Sequence, residues 1–151
     1  MQSFSEISAG LIKKFPYVKE ESGQNVLTIP NESLLEVAQY LKTGPFAFDN
    51  LHCITAIERN GKVELVYALY SISGHHALTL KIYLSTEDLK IESLTPLWKS
   101  ANWLEREVYD LFGVTFLNHP DLRRILNPYD WKVHPLRKNY VHPEFKTKPR
   151  L

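Results

Sequence analysis

Three carboxylates lie within six residues of one another, at Glu105, Glu107 and Asp110, and carboxylates spaced this closely can bind a metal ion or transfer protons. The surrounding residues are predicted to form a helix, in which each residue is rotated by about 100° from the one before. Glu107 and Asp110 then point about 60° apart, whereas Glu105 and Glu107 point about 160° apart, so the three cannot converge on one ion. The pattern favours ion pairs or contacts with a partner over a catalytic or metal site.

The histidines of the second half are the other possible metal ligands. His119, His134 and His142 are each followed by proline, which favours an extended backbone, and their separations match no zinc-binding pattern. The single cysteine, Cys53, lies in an apolar run and cannot by itself form an internal disulfide or hold an iron–sulfur cluster. We expect structural or interface histidines, and a chain without metal ligands or catalytic machinery of its own.

Basic side chains alternate with aromatic and aliphatic ones towards the C-terminus, as they do in many surfaces that bind nucleic acid or protein. From residue 119 onward the chain carries eight Lys and Arg against three Asp and Glu. The acidic residues interrupt the basic run and no groove-reading helix is predicted, so binding to nucleic acid is the weaker interpretation. Apolar residues among these charges, such as Leu122 and Trp131, favour a protein interface over a solvated tail.

The composition is typical of a globular protein, because 44% of the 151 residues are hydrophobic and 23% are charged. No apolar run approaches the roughly 20 residues that span a bilayer, and no targeting segment is recognisable, so a soluble intracellular protein is expected. Residues 1–98 carry eight basic and eleven acidic side chains, whereas residues 99–151 carry ten and six. We therefore divide the chain into an α+β domain, residues 1–117, and an extended, basic, proline-rich tail that binds a partner, residues 118–151.

The elements that precede the carboxylates form a predicted α+β fold, with helices before and after an antiparallel meander. Ser3 and Glu6 match a capping box at the start of the first helix, and Asn31 is the expected N-cap of a second helix that ends at Gly44. The Asn60-Gly61 dipeptide predicts a hairpin turn. Strands are predicted at 26–29, 51–58, Lys62–Ser71 and 76–84.

The third predicted helix carries the carboxylates. Thr95 is its expected N-cap and Pro96 its first residue, and an apolar stripe follows at helical spacing until Gly113 ends the helix. A short strand is predicted at 114–117. The prolines beyond it exclude any long helix in the tail.

Three runs of sequence resemble a known family. They are EREVYDLFGVTF at 105–116, HPDLRRIL at 119–126, and Trp131 followed by HPLRK at 134–138. Together they resemble the 30-kDa subunit, also called the C subunit, of respiratory complex I, the proton-pumping NADH:quinone oxidoreductase. The family usually has glycine before the first His-Pro, a small turn residue before the second, and an acidic residue after Arg-Lys. Asn118, Val133 and Asn139 stand at these positions.

The resemblance implies a non-catalytic accessory protein in the peripheral arm of the complex. Such a protein docks on the large 49-kDa subunit, also called the D subunit, near the quinone-reduction site. It lies beside iron–sulfur subunits and supports electron transfer from NADH to quinone. It binds no cofactor itself, although the complex as a whole uses FMN and iron–sulfur clusters. It lies on the cytoplasmic side of the prokaryotic inner membrane and is attached to the membrane only through the complex.

The resemblance also predicts which residues contact the partner. Arg106, Arg123, Arg124, Arg137 and Lys138 would form charge-assisted bonds, and Phe112, Phe116, Leu122 and Trp131 would be apolar anchors. The remaining expected interface residues are Glu105, Glu107, Tyr109, Asp110, His119, Asp121 and His134. Replacing Arg123 and Arg124 by alanine is expected to weaken assembly without unfolding the domain.

Two alternatives stay open at this point. The same kind of subunit occurs in membrane-bound [NiFe]-hydrogenase complexes and in ferredoxin- or deazaflavin-linked dehydrogenases. A chain of a different class, a free-standing nucleic-acid or metal-binding module, would be marked by salt-dependent oligonucleotide binding or by bound zinc.

Overall fold

The predicted α+β class is confirmed by a computed structural model, which describes residues 3–21 and 25–141. Within those residues the chain forms three α-helices, a mixed five-stranded sheet and a separate pair of short strands. The helices are α1 (Phe4–Lys14), α2 (Leu34–Thr43) and α3 (Ala101–Phe112). The strands are β1 (Lys19–Glu20), β2 (Val26–Thr28), β3 (Asn50–Arg59), β4 (Lys62–Ser71), β5 (His76–Ser85), β6 (Lys90–Glu92) and β7 (Thr115–Leu117).

The main sheet has the strand order β1-β2-β5-β4-β3. Its last three strands are the predicted antiparallel meander, and β2 joins it by pairing in parallel with β5. The hairpin between β3 and β4 turns at Asn60 and Gly61, which both have positive φ, at 51° and 71°. This geometry matches the twist of the flanking strands and confirms the predicted turn.

One face of this sheet lies in the core together with the helices. Residues of β4 and β5 alternate between buried and partly exposed positions, so every second side chain, such as Leu65, Tyr67 and Leu80, points into the core. The apolar sides of α1, α2 and α3 contribute to the same buried cluster. The opposite face of β4 and β5 carries Lys81, which is paired with Glu21 and Glu64.

The two N-terminal helices follow the sequence prediction closely, with one correction. The Ser3 hydroxyl accepts from the Glu6 amide and the Glu6 carboxylate accepts from the Ser3 amide, so the capping box of α1 is confirmed. Asn31 does not cap α2. It begins a 3-10 turn at Asn31–Ser33, and its side-chain amide donates to the Lys90 carbonyl instead.

Helix α3 begins later than predicted, at Ala101 rather than near Thr95. The Glu105 carboxylate accepts from the Ser93 hydroxyl and from the Leu94 amide, and the Ser93 hydroxyl also bonds to Thr95. These contacts hold residues before Ala101 in turns, so tertiary bonds override the local helix signal. The helix ends as predicted, at Gly113 with φ 76° in the left-handed region.

The strand predicted after Gly113 is confirmed as β7, but its partner was not predicted. β6 and β7 pair in parallel on either side of α3 in the chain, which gives a small strand–helix–strand unit. After β7 the described residues 118–141 contain turns but neither helix nor strand, as the prolines suggested. The predicted boundary between residues 117 and 118 stays a prediction, and His142 lies outside the described residues.

Candidate partner-binding surface

The carboxylate of Asp110 lies on the buried side of α3 and is enclosed by the segment that follows β7. Its Oδ2 accepts hydrogen bonds from the backbone amides of Ile125, Leu126 and Asn127, at 3.0, 2.7 and 2.9 Å. Its Oδ1 accepts from Arg124 Nη1 at 2.6 Å and from Asn127 Nδ2 at 2.9 Å. The Asp110 carboxylate therefore holds the backbone of residues 125–127 in place. We call Asp110 and the groups bonded to it the Asp110 anchor.

The backbone carbonyl of Asp110 extends this anchor to the residues that follow. It accepts from Arg124 Nη1 and from His134 Nδ1, each at 3.0 Å. Because a carbonyl oxygen can only accept, Nδ1 of His134 carries the hydrogen. The Arg124 guanidinium also donates to the Val133 carbonyl at 3.0 Å. Arg124 therefore joins α3 to two separate parts of the tail.

The anchor keeps Asp110 charged. Burial alone would raise the pKa of Asp110, but hydrogen bonds from Asn127 and Leu126 and from the Arg124 guanidinium outweigh burial and hold that pKa well below its usual range. The Asp110 side chain has no exposed surface, and only 8% of the Arg124 side chain is exposed. Asp110 and the charged group of Arg124 are therefore bound to each other within this chain, and partner contact through Asp110 stays a prediction.

Glu105 is a second buried carboxylate of α3 and also bonds within this chain. It accepts from Ser93 Oγ and from the Leu94 amide, both at 2.6 Å, and has no exposed surface. Burial, only partly offset by these two bonds, raises the pKa of Glu105 to about 7. Nε2 of His119 lies 3.9 Å from its Oε2. Glu105 therefore joins α3 to the loop before it, and its contact with a partner stays a prediction.

His119 is held by two hydrogen bonds that fix its tautomer. The Asp121 amide donates to Nδ1 at 3.0 Å, so Nδ1 carries no hydrogen and Nε2 donates to the Asn102 carbonyl at 3.1 Å. The preceding residue, Asn118, has φ 61°, in the left-handed region. Asparagine tolerates this conformation, which explains why it can stand where the family usually has glycine.

The other predicted arginines are also largely engaged within the chain. Arg106 is buried, donates from Nε to the Arg123 carbonyl at 3.1 Å, and stacks its guanidinium on Trp103 at 4.8 Å from the ring centre. Arg137 Nε donates to Glu58 Oε2 at 3.0 Å, and the backbone amide of Lys138 donates to the same oxygen at 2.8 Å. These bonds tie the tail back to α3 and to β3.

The predicted interface residues therefore fall into three groups by exposure. Glu105, Arg106, Asp110, Phe112 and Phe116 are buried in this chain. The half-buried residues are Tyr109, His119, Leu122, Arg124, Trp131, His134 and Arg137. The exposed residues are Glu107, Asp121, Arg123 and Lys138. The expected anchors Phe112 and Phe116 belong to the hydrophobic core, and partner contact through any residue of the three groups stays a prediction.

The structure adds exposed apolar residues that the sequence did not single out. Trp103 is 64% exposed, Leu126 61% and Tyr129 95%, although large apolar side chains normally seek burial. Trp103 lies one turn before Glu107 on the polar side of α3. An aromatic residue on a polar helix face could have indicated this exposed position from the sequence. The Leu126 amide is bound to Asp110, while its side chain lies exposed to solvent.

A metal site or a membrane span is not found in the described part of the chain. Between residues 3 and 21 and between 25 and 141, no three His, Cys, Asp or Glu side chains are grouped so that they could hold a metal ion. None of the helices in those same residues is long and apolar enough to cross a membrane.

Comparison with known proteins connects this arrangement to one family. Residues 27–146 match the family model for the 30-kDa subunit of respiratory-chain NADH dehydrogenase. The NADH-quinone oxidoreductase C subunit of Geobacter metallireducens is 44% identical over 127 residues, which cover 82% of this chain and 78% of that protein.

Two further similarities concern a longer protein and a solved structure. The NADH-quinone oxidoreductase C/D subunit of Pseudomonas paraeruginosa is 36% identical over 129 residues, which are 79% of this chain but 22% of that protein. The structure described as a trypsin-resistant fragment (1-134) of Nqo5 is 31% identical with a TM-score of 0.67, and the match covers 80% of this chain and all of that one.

Proposed function

The chain belongs to the family of the 30-kDa subunit of respiratory-chain NADH dehydrogenase, and we propose that it docks on the large 49-kDa subunit of an NADH-quinone oxidoreductase. In this proposal it has no catalytic residue and binds no cofactor, while other subunits carry FMN and the iron–sulfur clusters. Its task is to position and stabilise the 49-kDa subunit near the site of quinone reduction. It would do so on the cytoplasmic side of a prokaryotic inner membrane.

The observation that carries this proposal is the way the Asp110 anchor displays the tail. A buried carboxylate and a half-buried arginine fold the segment after β7 against α3, and the same fold leaves Leu126 and Tyr129 outside. Large apolar side chains that lie exposed on a backbone held in place bury apolar surface when they bind, which favours a protein interface. The relative named as a C/D subunit supports the 49-kDa, or D, protein as the partner, because that single chain carries both letters in its name.

Affinity purification tests the proposal directly. The tagged chain is expressed in its native host, membranes are gently solubilised, and the proteins that co-purify are identified by mass spectrometry. We expect a homologue of the 49-kDa subunit together with iron–sulfur subunits. A hydrogenase large subunit in its place would select the hydrogenase-type or ferredoxin-linked alternative, and recovery of the tagged chain alone or with nucleic acid would overturn the proposal.

A further inference from the structure

An open groove runs along the outer side of the tail, next to the Asp110 anchor. Its volume is about 520 Å³, and its walls include Tyr109, Leu122, Tyr129 and Trp131. A second hollow of about 390 Å³, which extends towards Tyr140 and Val141, shares Lys132 and His134 with the first. The two hollows therefore adjoin, and together they follow the tail for much of its described length. From here on, the groove means both hollows.

The groove is aromatic on its walls and basic at its rim. Among residues 3–21 and 25–141, no Asp or Glu side chain lines either hollow, although Asp121 and Asp130 are close in sequence. Two of its arginines are already bound, Arg124 to Asp110 and Arg137 to Glu58. Arg123 is paired only on the surface with Asp121, where 72% and 49% of the two side chains are exposed, and such a pair is weak.

Within the described part of the chain, Lys132 is the cation of the groove that has no ion-pair partner. It is exposed, lies in both hollows, and forms no ion pair with any of the described residues. A carboxylate that entered the groove could pair with Lys132 and draw Arg123 away from Asp121. The aromatic walls would meanwhile cover apolar side chains beside that carboxylate. Aromatic residues and arginine are the residues that contribute most at protein interfaces.

We propose that this groove is the specific docking site for a segment of the 49-kDa subunit that carries an Asp or Glu next to an aromatic or aliphatic side chain. This inference rests on the proposed function, because it takes the 49-kDa subunit as the partner. Of its contact residues, Arg123 was predicted from the sequence, whereas Lys132 and Tyr129 were not. Arg124 and Arg137, which are bound to Asp110 and Glu58, build the groove. A bound segment of this chemistry complements both the charge and the apolar surface of the groove.

Charge reversal with a matched control tests the electrostatic half of the inference. Lys132→Glu reverses the charge in the groove, and Lys62→Glu makes the same change at an exposed residue of β4 that lines neither hollow. In affinity purification from native membranes, we expect Lys132→Glu to lower recovery of the 49-kDa subunit about tenfold, as loss of an interface charge pair does. Lys62→Glu should recover as much as the unchanged chain. Thermal unfolding of both purified variants should match that of the unchanged chain, since both lysines are exposed.

Photo-cross-linking tests whether the 49-kDa subunit binds at the groove. Tyr129 is replaced by p-benzoylphenylalanine in the full chain, and Tyr70, which is 37% exposed on β4, receives the same replacement as the control. We expect the residue at position 129 to cross-link to a peptide of the 49-kDa subunit that contains Asp or Glu, and the residue at position 70 not to do so. Cross-links to that partner from position 70 alone would overturn the inference, as would a product from position 129 on a peptide without an acidic residue.

The outcomes separate the two proposals. If the unchanged chain recovers no 49-kDa subunit, the proposed function fails and the groove loses its partner. If the unchanged chain and Lys132→Glu recover it equally, the proposed function stands and the groove inference alone is overturned.

Discussion

Two fully buried carboxylates on the same helix, Glu105 and Asp110, are held in different ways because their surroundings differ. Asp110 receives an arginine and several backbone amides, so its pKa stays well below the usual range and it remains charged. Glu105 receives one hydroxyl and one amide and no cation bonded directly, so burial dominates and its pKa rises to about 7. Burial alone therefore does not decide whether a carboxylate is charged. The number and kind of its hydrogen-bond donors decide it.

The raised pKa of Glu105 predicts a specific pH dependence of stability. In the folded chain Glu105 keeps its proton up to about pH 7, whereas in the unfolded chain it releases the proton near pH 4.5. The folded state thus binds more protons over this window, so its contribution is fully present below the lower value and is lost as pH rises towards 7. The loss is on the order of 3 kcal/mol.

Glu105→Gln should remove that slope. We expect the free energy of unfolding in urea to fall between pH 5 and pH 8 in the unchanged chain and to change much less in the variant. Glu107→Gln is the matched control, because it makes the same change at an exposed residue of the same helix and should leave the slope as it was. An equal slope in Glu105→Gln and the unchanged chain would contradict the protonation assigned to Glu105.

Helix α3 shows which features of an element can be predicted from sequence. Its end at Gly113 and the hairpin at Asn60-Gly61 are local, since each depends on a backbone conformation that these residue types favour. Its beginning depends on Glu105 bonding back to Ser93 and Leu94, which no local signal reveals. The Asp110 anchor was missed for the same reason, because most of its donors are backbone amides that any sequence provides.

Gly113 has a second role beyond ending α3. A Cβ atom at this position would lie 2.6 Å from Cδ2 of His134, a distance that forces the imidazole to move. His134 donates to the carbonyl of Asp110, so a displaced ring would also disturb the anchor. Gly61 has nearly the same positive φ, at 71°, but a Cβ there would meet nothing within 4 Å.

These two glycines make a matched pair of variants. Gly61→Ala should cost about 1 kcal/mol of unfolding free energy, from the left-handed backbone alone. Gly113→Ala should cost roughly 1–2 kcal/mol more, because it adds the clash with His134 to the same backbone strain. Urea unfolding of both purified variants measures the difference. Equal losses would mean that His134 is not packed against Gly113 in solution.

At the scale of the whole molecule, neighbouring residues of the arginine-rich run serve different purposes. Arg124 is bonded to Asp110, to the Asp110 carbonyl and to the Val133 carbonyl, so it holds the tail on the domain. Arg123 points outward, and its pair with Asp121 is exposed. The sequence grouped the two arginines as partner contacts because adjacent residues of one type look equivalent until their burial is known. The structure assigns one to the fold and leaves the other on the surface.

Separate replacement of the two arginines by alanine should therefore give opposite results, where the sequence predicted one shared effect on assembly. Arg124→Ala leaves the buried Asp110 charge without its cation and should lower the free energy of unfolding by about 3 kcal/mol. It should also speed cleavage of the tail by trypsin, since residues after β7 lose their attachment to α3.

Arg123→Ala removes an exposed pair and should change stability by less than about 0.5 kcal/mol. It should still reduce recovery of the 49-kDa subunit, because Arg123 lines the groove. Urea unfolding and affinity purification of both variants decide the matter: if Arg124→Ala is as stable as Arg123→Ala, the Asp110 anchor does not hold the tail. The anchor would then have no part in shaping the surface that a partner meets.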